Sequence, residues 1–441
     1  MKRLIYDSLL IWKESTDRKP LIIEGIRQCG KTWILKHFGE TEFKDVAYFN
    51  FEYDDQVQNI FEGDLNVSRI IKDLGIMRNI SIQPGKTLLI LDEIQISPRA
   101  ITSLKYFCEN LPELHVVAAG SLLGVALAQM GNLVSFPVGK VQMLKMYPLN
   151  FPEFLMAKDG ELLYEYLKKV SPDETLSAVF TSKLEEAYRE YLITGGLPEV
   201  VSSWIKNHDI RIIEAIQSDI ISNYEKDFVK YAPVSEFPKL SLIWKAIPAQ
   251  LAKENQKFLF AHVKQGMRAR DLEDSLEWLI SAGLIYKVEK IERPYIPITT
   301  YSDVTNFKIY LSDVGLLRRM SKFPADVVFD TSSLTADIRG ILSENFVLTE
   351  LISNGFQNPY FWKSGGIAEV DYIIQEDVDV IPIEVKSSGR IRSRSLAEYR
   401  KKYNPRIAVR TSLRNIARHS DEQGEVLEIP LYLIWRLKAY L

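Results

Sequence analysis

The sequence predicts an α/β protein whose N-terminal part is a parallel sheet with helices on both faces. Three observations predict it. Four short apolar runs, at residues 20–24, 46–52, 87–93 and 115–121, alternate with stretches of helical spacing. Strands buried on both faces of a parallel sheet read this way. A glycine-rich loop stands between the first run and the helix after it, and an acidic pair closes the third run. Open α/β sheets place their ligands at that carboxyl end of the strands.

The first strand, Pro20-Leu21-Ile22-Ile23-Glu24, ends at Gly25. Gly25-Ile26-Arg27-Gln28-Cys29-Gly30-Lys31-Thr32 follows, the G-x-x-x-x-G-K-[ST] pattern of a phosphate-binding P-loop. Glycine at both ends lets the chain turn sharply without an intruding Cβ, so that backbone N–H groups can wrap phosphates. In this pattern Lys31 reaches the β- and γ-phosphates and the Thr32 hydroxyl binds Mg²⁺. Residues 31–38 carry Trp33, Ile34 and Phe38 on one side of a predicted helix. The N-terminus of that helix adds positive charge at the phosphates.

At the end of the third strand, Asp92 is placed to hold the Mg²⁺ that Thr32 also binds, and Glu93 to polarise an attacking water as general base. The pair points to hydrolysis rather than binding alone. Ser121, closing the fourth strand, bonds the water or γ-phosphate, or only forms a turn. Gln95 stands equally open.

Bulk properties exclude several classes. Hydrophobic residues make up 46%, charged residues 26%, and the net charge is −3. That is an ordinary globular composition, not a basic nucleic-acid binder. Cys29 and Cys108 cannot form a disulfide scaffold and suit a reducing compartment. The longest nearly apolar stretch, 116–130, is too short to span a membrane. Asp7 and Ser8 interrupt the N-terminal apolar run, so no signal peptide is read. A cytoplasmic protein without a membrane partner is expected.

Phe154 to Lys230 reads as helical, broken at Gly195-Gly196-Leu197-Pro198. An amphipathic helix from Arg270, closed by Gly283, precedes a strand at 284–288. This looks like a winged helix, but Asp271, Glu273, Asp274 and Glu277 on its helix would repel phosphates, which favours a structural or protein-contact role over DNA reading.

Near the C-terminus, 365–374 and 380–386 alternate as the strands of a hairpin. The period of two puts Glu384 and Lys386 on one face, with Asp371 in reach. Two carboxylates beside a lysine suit a Mg²⁺ site for phosphodiester hydrolysis by a metal-activated water. Asp–x(n)–Glu–x–Lys is the signature of the PD-(D/E)xK nuclease-like superfamily, and Glu344, on a predicted helix, matches its additional acidic metal ligand. A solvated hairpin with an incidental salt bridge and a fold kept without catalysis are the alternatives. Residues 386–419 carry eleven Lys or Arg against one acid, Glu398. A phosphate-backbone footprint has this look, which makes DNA the expected partner.

The whole chain resembles the prokaryotic AAA-type P-loop ATPases that end in a restriction-endonuclease-like domain of uncharacterised function. Residues 25–32, 91–95, 119–121, 147–154, 195–199 and 310–317 carry the resemblance. It implies that Lys31 and Thr32 bind ATP–Mg²⁺, that Asp92 holds the metal and that Glu93 activates water. It also implies four parts: an ATPase domain (1–155), a helical lid (156–232) whose Gly-x-Pro turn touches the nucleotide, a winged-helix-like domain (233–325) and an α/β nuclease-like domain (326–441). The family often has Gly-Arg before Tyr147, whereas this chain has Gly139-Lys140. Lysine lacks the planar fork of arginine. This leaves Lys140, Arg27 or a neighbouring subunit of a homo-oligomer to complete the ATP site.

The leading expectation is thus ATP hydrolysis coupled to a nuclease-like, DNA-interacting domain. Two rivals stand beside it. One is an ATPase with a non-catalytic DNA-binding module. The other is a nucleotide-dependent protein-interaction switch that never meets DNA.

Overall fold

A computed structural model describes residues 1–125, 136–253, 256–329, 335–387 and 394–441. Residues 126–130 of the apolar stretch, and Arg390 and Arg392 of the basic segment, lie outside the described residues. The chain divides into two compact units, 2–148 with 281–284, and 149–280 with 285–441.

The first unit is an α/β fold. Five parallel strands, β1 (Leu21–Glu24), β2 (Asp45–Asn50), β3 (Thr87–Asp92), β4 (His115–Gly120) and β5 (Gln142–Lys145), stand in the order β2-β3-β4-β1-β5. The first four fall on the four apolar runs. β3 and β4 are buried along their whole length. Ile22, Phe49, Leu89, Leu91, Leu104 and Phe107 lie in the core packed on the sheet. β5 has no apolar run to announce it. Among the described residues it pairs only with β1, and its residues are mostly exposed, so little selects for apolar side chains there.

In the second unit, helices Phe151–Asp159, Ala178–Thr194, Pro198–Asn207 and Ile210–Tyr231 occupy much of the segment read as helical. Helix Ala269–Ser281 then leads into an eight-stranded mixed sheet. Its strands are β6 (Ile285–Ile291), β7 (Ser302–Leu311), β8 (Tyr360–Lys363), β9 (Glu369–Glu376), β10 (Asp379–Val385), β11 (Ile407–Ser412), β12 (Ala417–Asp421) and β13 (Gly424–Pro430). The order is β12-β13-β11-β10-β9-β8-β6-β7.

The strand expected after the amphipathic helix, β6, pairs with β7 at the edge of the C-terminal sheet. β6 runs parallel to β8 through Lys290–Phe361 and Ile291–Trp362. Ile285 and Ile291 are buried on one face of β6 and Val288 on the other, so the strand is covered on both sides. The division expected at 325/326 separates strands that share hydrogen bonds here.

Three of the segments that carry the family resemblance meet in this unit. Leu149 N donates to Gly196 O at 2.6 Å, Gly196 N donates to Asp313 Oδ2 at 2.7 Å, and Tyr191 OH donates to Leu149 O at 2.5 Å. The Gly195–Pro198 turn, expected to touch nucleotide, has its backbone groups engaged in this buried junction. Gly315 packs against it, since a Cβ there would lie 2.4 Å from Thr194 O.

Two carboxyls of this unit give it a pH signature. Glu350 is buried and accepts from Phe151 N at 2.7 Å, while its Oε2 has no hydrogen-bond partner. Burial, with Glu153 nearby, pushes it up to about 8. Burial also pushes Asp313 up to about 6, against the bonds it accepts from Gly196 and Leu316. A carboxyl raised on folding favours the folded state below its unfolded pKa. That advantage is lost as pH rises to the folded value. Between about pH 6 and pH 8, Glu350 alone is expected to remove on the order of 1.4 kcal/mol per pH unit. Thermal melts should show Glu350→Gln falling less steeply with pH than the parent chain. Equal slopes would contradict a neutral Glu350.

Candidate functional site

The phosphate loop leaves β1 and enters helix Lys31–Glu42. Gln28 and Gly30 adopt positive φ, 66° and 99°, which coils the loop. Alternating handedness of this kind turns successive N–H groups inward as an anion nest. Gly25 is needed for packing, because a Cβ there would lie 2.2 Å from Met146 O. Ile26 and Cys29 are buried beneath the loop. Arg3, also buried, donates to Cys29 O at 2.8 Å and Tyr147 O at 2.6 Å. Lys31 folds over the loop, its ammonium donating to Gly25 O at 2.8 Å and Ile26 O at 2.9 Å.

β4 lies between β1 and β3, so Ser121 stands between the loop and the acidic pair. Thr32 Oγ1 donates to Asp92 Oδ2 at 2.8 Å. Tyr48 OH donates to the same oxygen at 2.8 Å. Burial, with Asp92 and Glu93 nearby, raises the Tyr48 phenol, so it stays a donor. Glu93 takes φ of 53°, and its N–H donates to Asp92 Oδ1 at 3.1 Å. A left-handed glutamate is strained by about 1 kcal/mol or more and persists where its surroundings hold it. Its carboxylate is gripped by Gln95 Nε2 at 2.5 Å and Ser121 Oγ at 3.2 Å.

A hydroxyl and a carboxylate in contact form the hard-oxygen donor pair that Mg²⁺ accepts, keeping the rest of its shell for water and phosphate. The donor set fits the ion. Among the described residues, no three His, Cys, Asp or Glu side chains form a metal-binding group.

Two candidates for an added positive group are engaged elsewhere. Arg27 pairs with Glu52 at 3.4 Å. Lys140 forms an exposed ion pair with Glu109 at 3.0 Å. Tyr48 and Arg3 were invisible to motif reading. Both act by position alone, and nothing in their sequence neighbourhood marks them.

In the second unit, β9 and β10 form the expected hairpin. One step beyond the registered pair Tyr372–Ile383 stand Asp371 and Glu384. Asp371 Oδ2 accepts from Val385 N at 2.7 Å, and Lys386 Nζ lies 2.5 Å from Glu384 Oε1. Burial, then Glu384 and Glu344, push the Asp371 carboxyl well above the usual range, against Lys386 and Lys308. Burial would lower Lys386, but Asp371 and Glu384 hold it raised. Glu344, on helix Ala336–Ser353, accepts from Tyr310 OH at 3.0 Å and Gln256 Nε2 at 3.2 Å.

Four arginines of the basic segment pair with acids outside it. Arg400 pairs with Asp421 at 2.5 Å, Arg406 with Asp379 at 2.7 Å and Arg418 with Glu425 at 3.0 Å, and Arg410 pairs with Glu428. Local sequence charge overstated the surface charge because the fold brings these acids alongside. Both cysteines are free. Among the described residues, no helix is long and apolar enough to cross a membrane.

Three segments of the chain match family models. Residues 17–155 match the family model of an AAA domain. Residues 185–327 and 339–432 match two domains of unknown function (DUF8612 and DUF4143). An uncharacterized protein of Methanocaldococcus jannaschii, MJ1544, is 23% identical over 391 residues, covering 86% of this chain and 78% of its own length. Among solved structures, the Walker-type ATPase paby2304 of Pyrococcus abyssi is similar at 16% identity and a TM-score of 0.43, covering 72% of this chain and 95% of that one. AMPPCP-bound DnaA from Aquifex aeolicus is similar at 16% identity and a TM-score of 0.30, covering 64% and 88%. The N-terminal unit is an AAA-type P-loop, ATPase-like domain on a parallel α/β sheet.

Proposed function

We propose that this chain binds ATP with Mg²⁺ and hydrolyses the γ-phosphate at the end of β3. The contact of Thr32 with Asp92 at 2.8 Å supports this most directly. It joins the phosphate loop to the acid two strands away. The loop N–H groups and Lys31 bind the phosphates, and Thr32 and Asp92 hold the ion. The ion, when bound, neutralises charge on the β- and γ-phosphates. Glu93, oriented by Ser121 and Gln95, takes the proton of the attacking water. Purified chain should release phosphate from ATP in Mg²⁺ and not in excess EDTA. Equal release in both would reject the assignment.

For the second unit we propose a PD-(D/E)xK-like site acting on phosphodiesters. Asp371 and Glu384 would hold a divalent cation, with Lys386 beside them; the cation would activate water. The buried, unpartnered Glu384 Oε2 supports a cation there. One observation favours a second reading: the internal pairing of Arg400, Arg406, Arg410 and Arg418 leaves less charge for duplex DNA. Plasmid DNA with Mg²⁺ or Mn²⁺ separates them. Cleavage lost in Asp371→Ala and Lys386→Ala supports the nuclease reading. Binding without cleavage supports a non-catalytic module, and neither supports a protein-interaction switch.

A further inference from the structure

A cavity of about 560 Å³ opens on the same carboxylate cluster, and the middle of the chain builds half of it. Lys253, Gln256 and Leu259 line it together with Lys308 of β7, Lys363 of β8 and Asp371 of β9. Lys308 has no counterpart in the Asp-Glu-Lys pattern. It is 1% exposed, yet its ammonium is kept charged. Burial would lower it, but Glu369, Glu344 and Asp371 together hold it raised. Its ammonium reaches Glu369 Oε1 at 2.5 Å and Gln256 Oε1 at 3.0 Å. The same ammonium lies 5.0 Å from the centre of the Phe361 ring.

The lining acids are mostly satisfied already. Glu369 is shared between Lys308 and Lys363, the latter at 3.2 Å, and Glu344 is held by Gln256 and Tyr310. The cavity thus presents Lys253, Lys308 and Lys363, with Glu344, Glu369 and Asp371 on the same walls. Leu259 and the nearly fully exposed Ile367 supply apolar surface. The volume lies within the range of about 300–1,000 Å³ that encloses one small ligand, and a duplex cannot enter it.

We propose that this cavity binds one phosphate-bearing nucleotide unit, its phosphate on Lys308, Lys253 and Lys363, its base on Leu259 and Ile367. The proposal rests on the phosphodiester reading above and narrows its substrate to an unpaired nucleotide, either free or at a strand end.

The test uses the full chain in EDTA with fluorescein-labelled, 5′-phosphorylated dT8 as the probe. Binding is expected to weaken by about tenfold or more in Lys253→Ala/Lys363→Ala, whose side chains lie at the surface. A blunt duplex should bind at least about tenfold more weakly than dT8. Displacement of bound dT8 by dTMP would assign the pocket to free nucleotides as well; dT8 binding that excess dTMP leaves unchanged would assign it to strand ends. Lys308→Met, checked by circular dichroism for folding, should lose binding too. Unchanged dT8 affinity in the double variant, or duplex bound as tightly, would overturn the pocket. Plasmid cleavage is read separately. A chain that cuts plasmid while the double variant binds normally loses the pocket and keeps the nuclease reading. A chain that cuts nothing, but whose dT8 binding falls in the variant, keeps the pocket and loses that reading.

Discussion

Lys31→Ala is expected to lower ATP turnover by about 100-fold or more, the scale seen when one preorganised positive donor is removed from a charge-developing site. The side chain is 5% exposed and its ammonium is fixed by the carbonyls of Gly25 and Ile26. It therefore approaches phosphate already oriented, and alanine removes both the charge and that orientation. Nucleotide affinity should fall as well, since the same ammonium contacts ground-state and transition-state phosphate oxygens. Phosphate release and binding of a fluorescent ATP analogue read the two effects. Parent-like turnover would remove the phosphate loop from the reaction.

Gly196→Ala is expected to destabilise the second unit by about 3 kcal/mol or more, enough to unfold a marginal domain. A Cβ there would lie 2.0 Å from Leu149 O. The clash is with backbone, so no rotamer relieves it. The backbone cannot move away either, because Gly196 N is tied to Asp313 and Gly196 O to Leu149 N. Denaturant melts followed by circular dichroism should show the second unit unfolding at lower denaturant. An unchanged midpoint would mean that the junction yields more readily than its bonds suggest.

The first unit was legible where physics acts locally. β1 to β4 show as apolar runs because both faces are buried, and the loop shows because its turn needs glycine. What escaped has non-local causes. β5 is an exposed edge. Tyr48 reaches Asp92 from a neighbouring strand through a register that no motif records. In the second unit, the alternation of β9 and β10 announced a hairpin, and its registered pairs run up to Ile383 and Tyr372, next to Glu384 and Asp371. The basic segment misled for the reverse reason. Its counter-charges, Asp379, Asp421, Glu425 and Glu428, come from flanking strands and meet it only through sheet pairing. The helix from Arg270 and the strand after it looked like a winged helix because a helix leading into a strand has the same pattern whether or not a larger sheet continues from that strand.

The most direct measurement is turnover against binding in Glu93→Gln. Glutamine keeps the size of Glu93 and can still accept from Ser121 Oγ, but it cannot take a proton from water. ATP–Mg²⁺ affinity is expected to stay within a few-fold of the parent while turnover falls by about 10²–10⁴-fold, the range for loss of a general base. Binding and turnover both close to parent values would contradict the assignment of Glu93 and the proposed hydrolytic site at the end of β3.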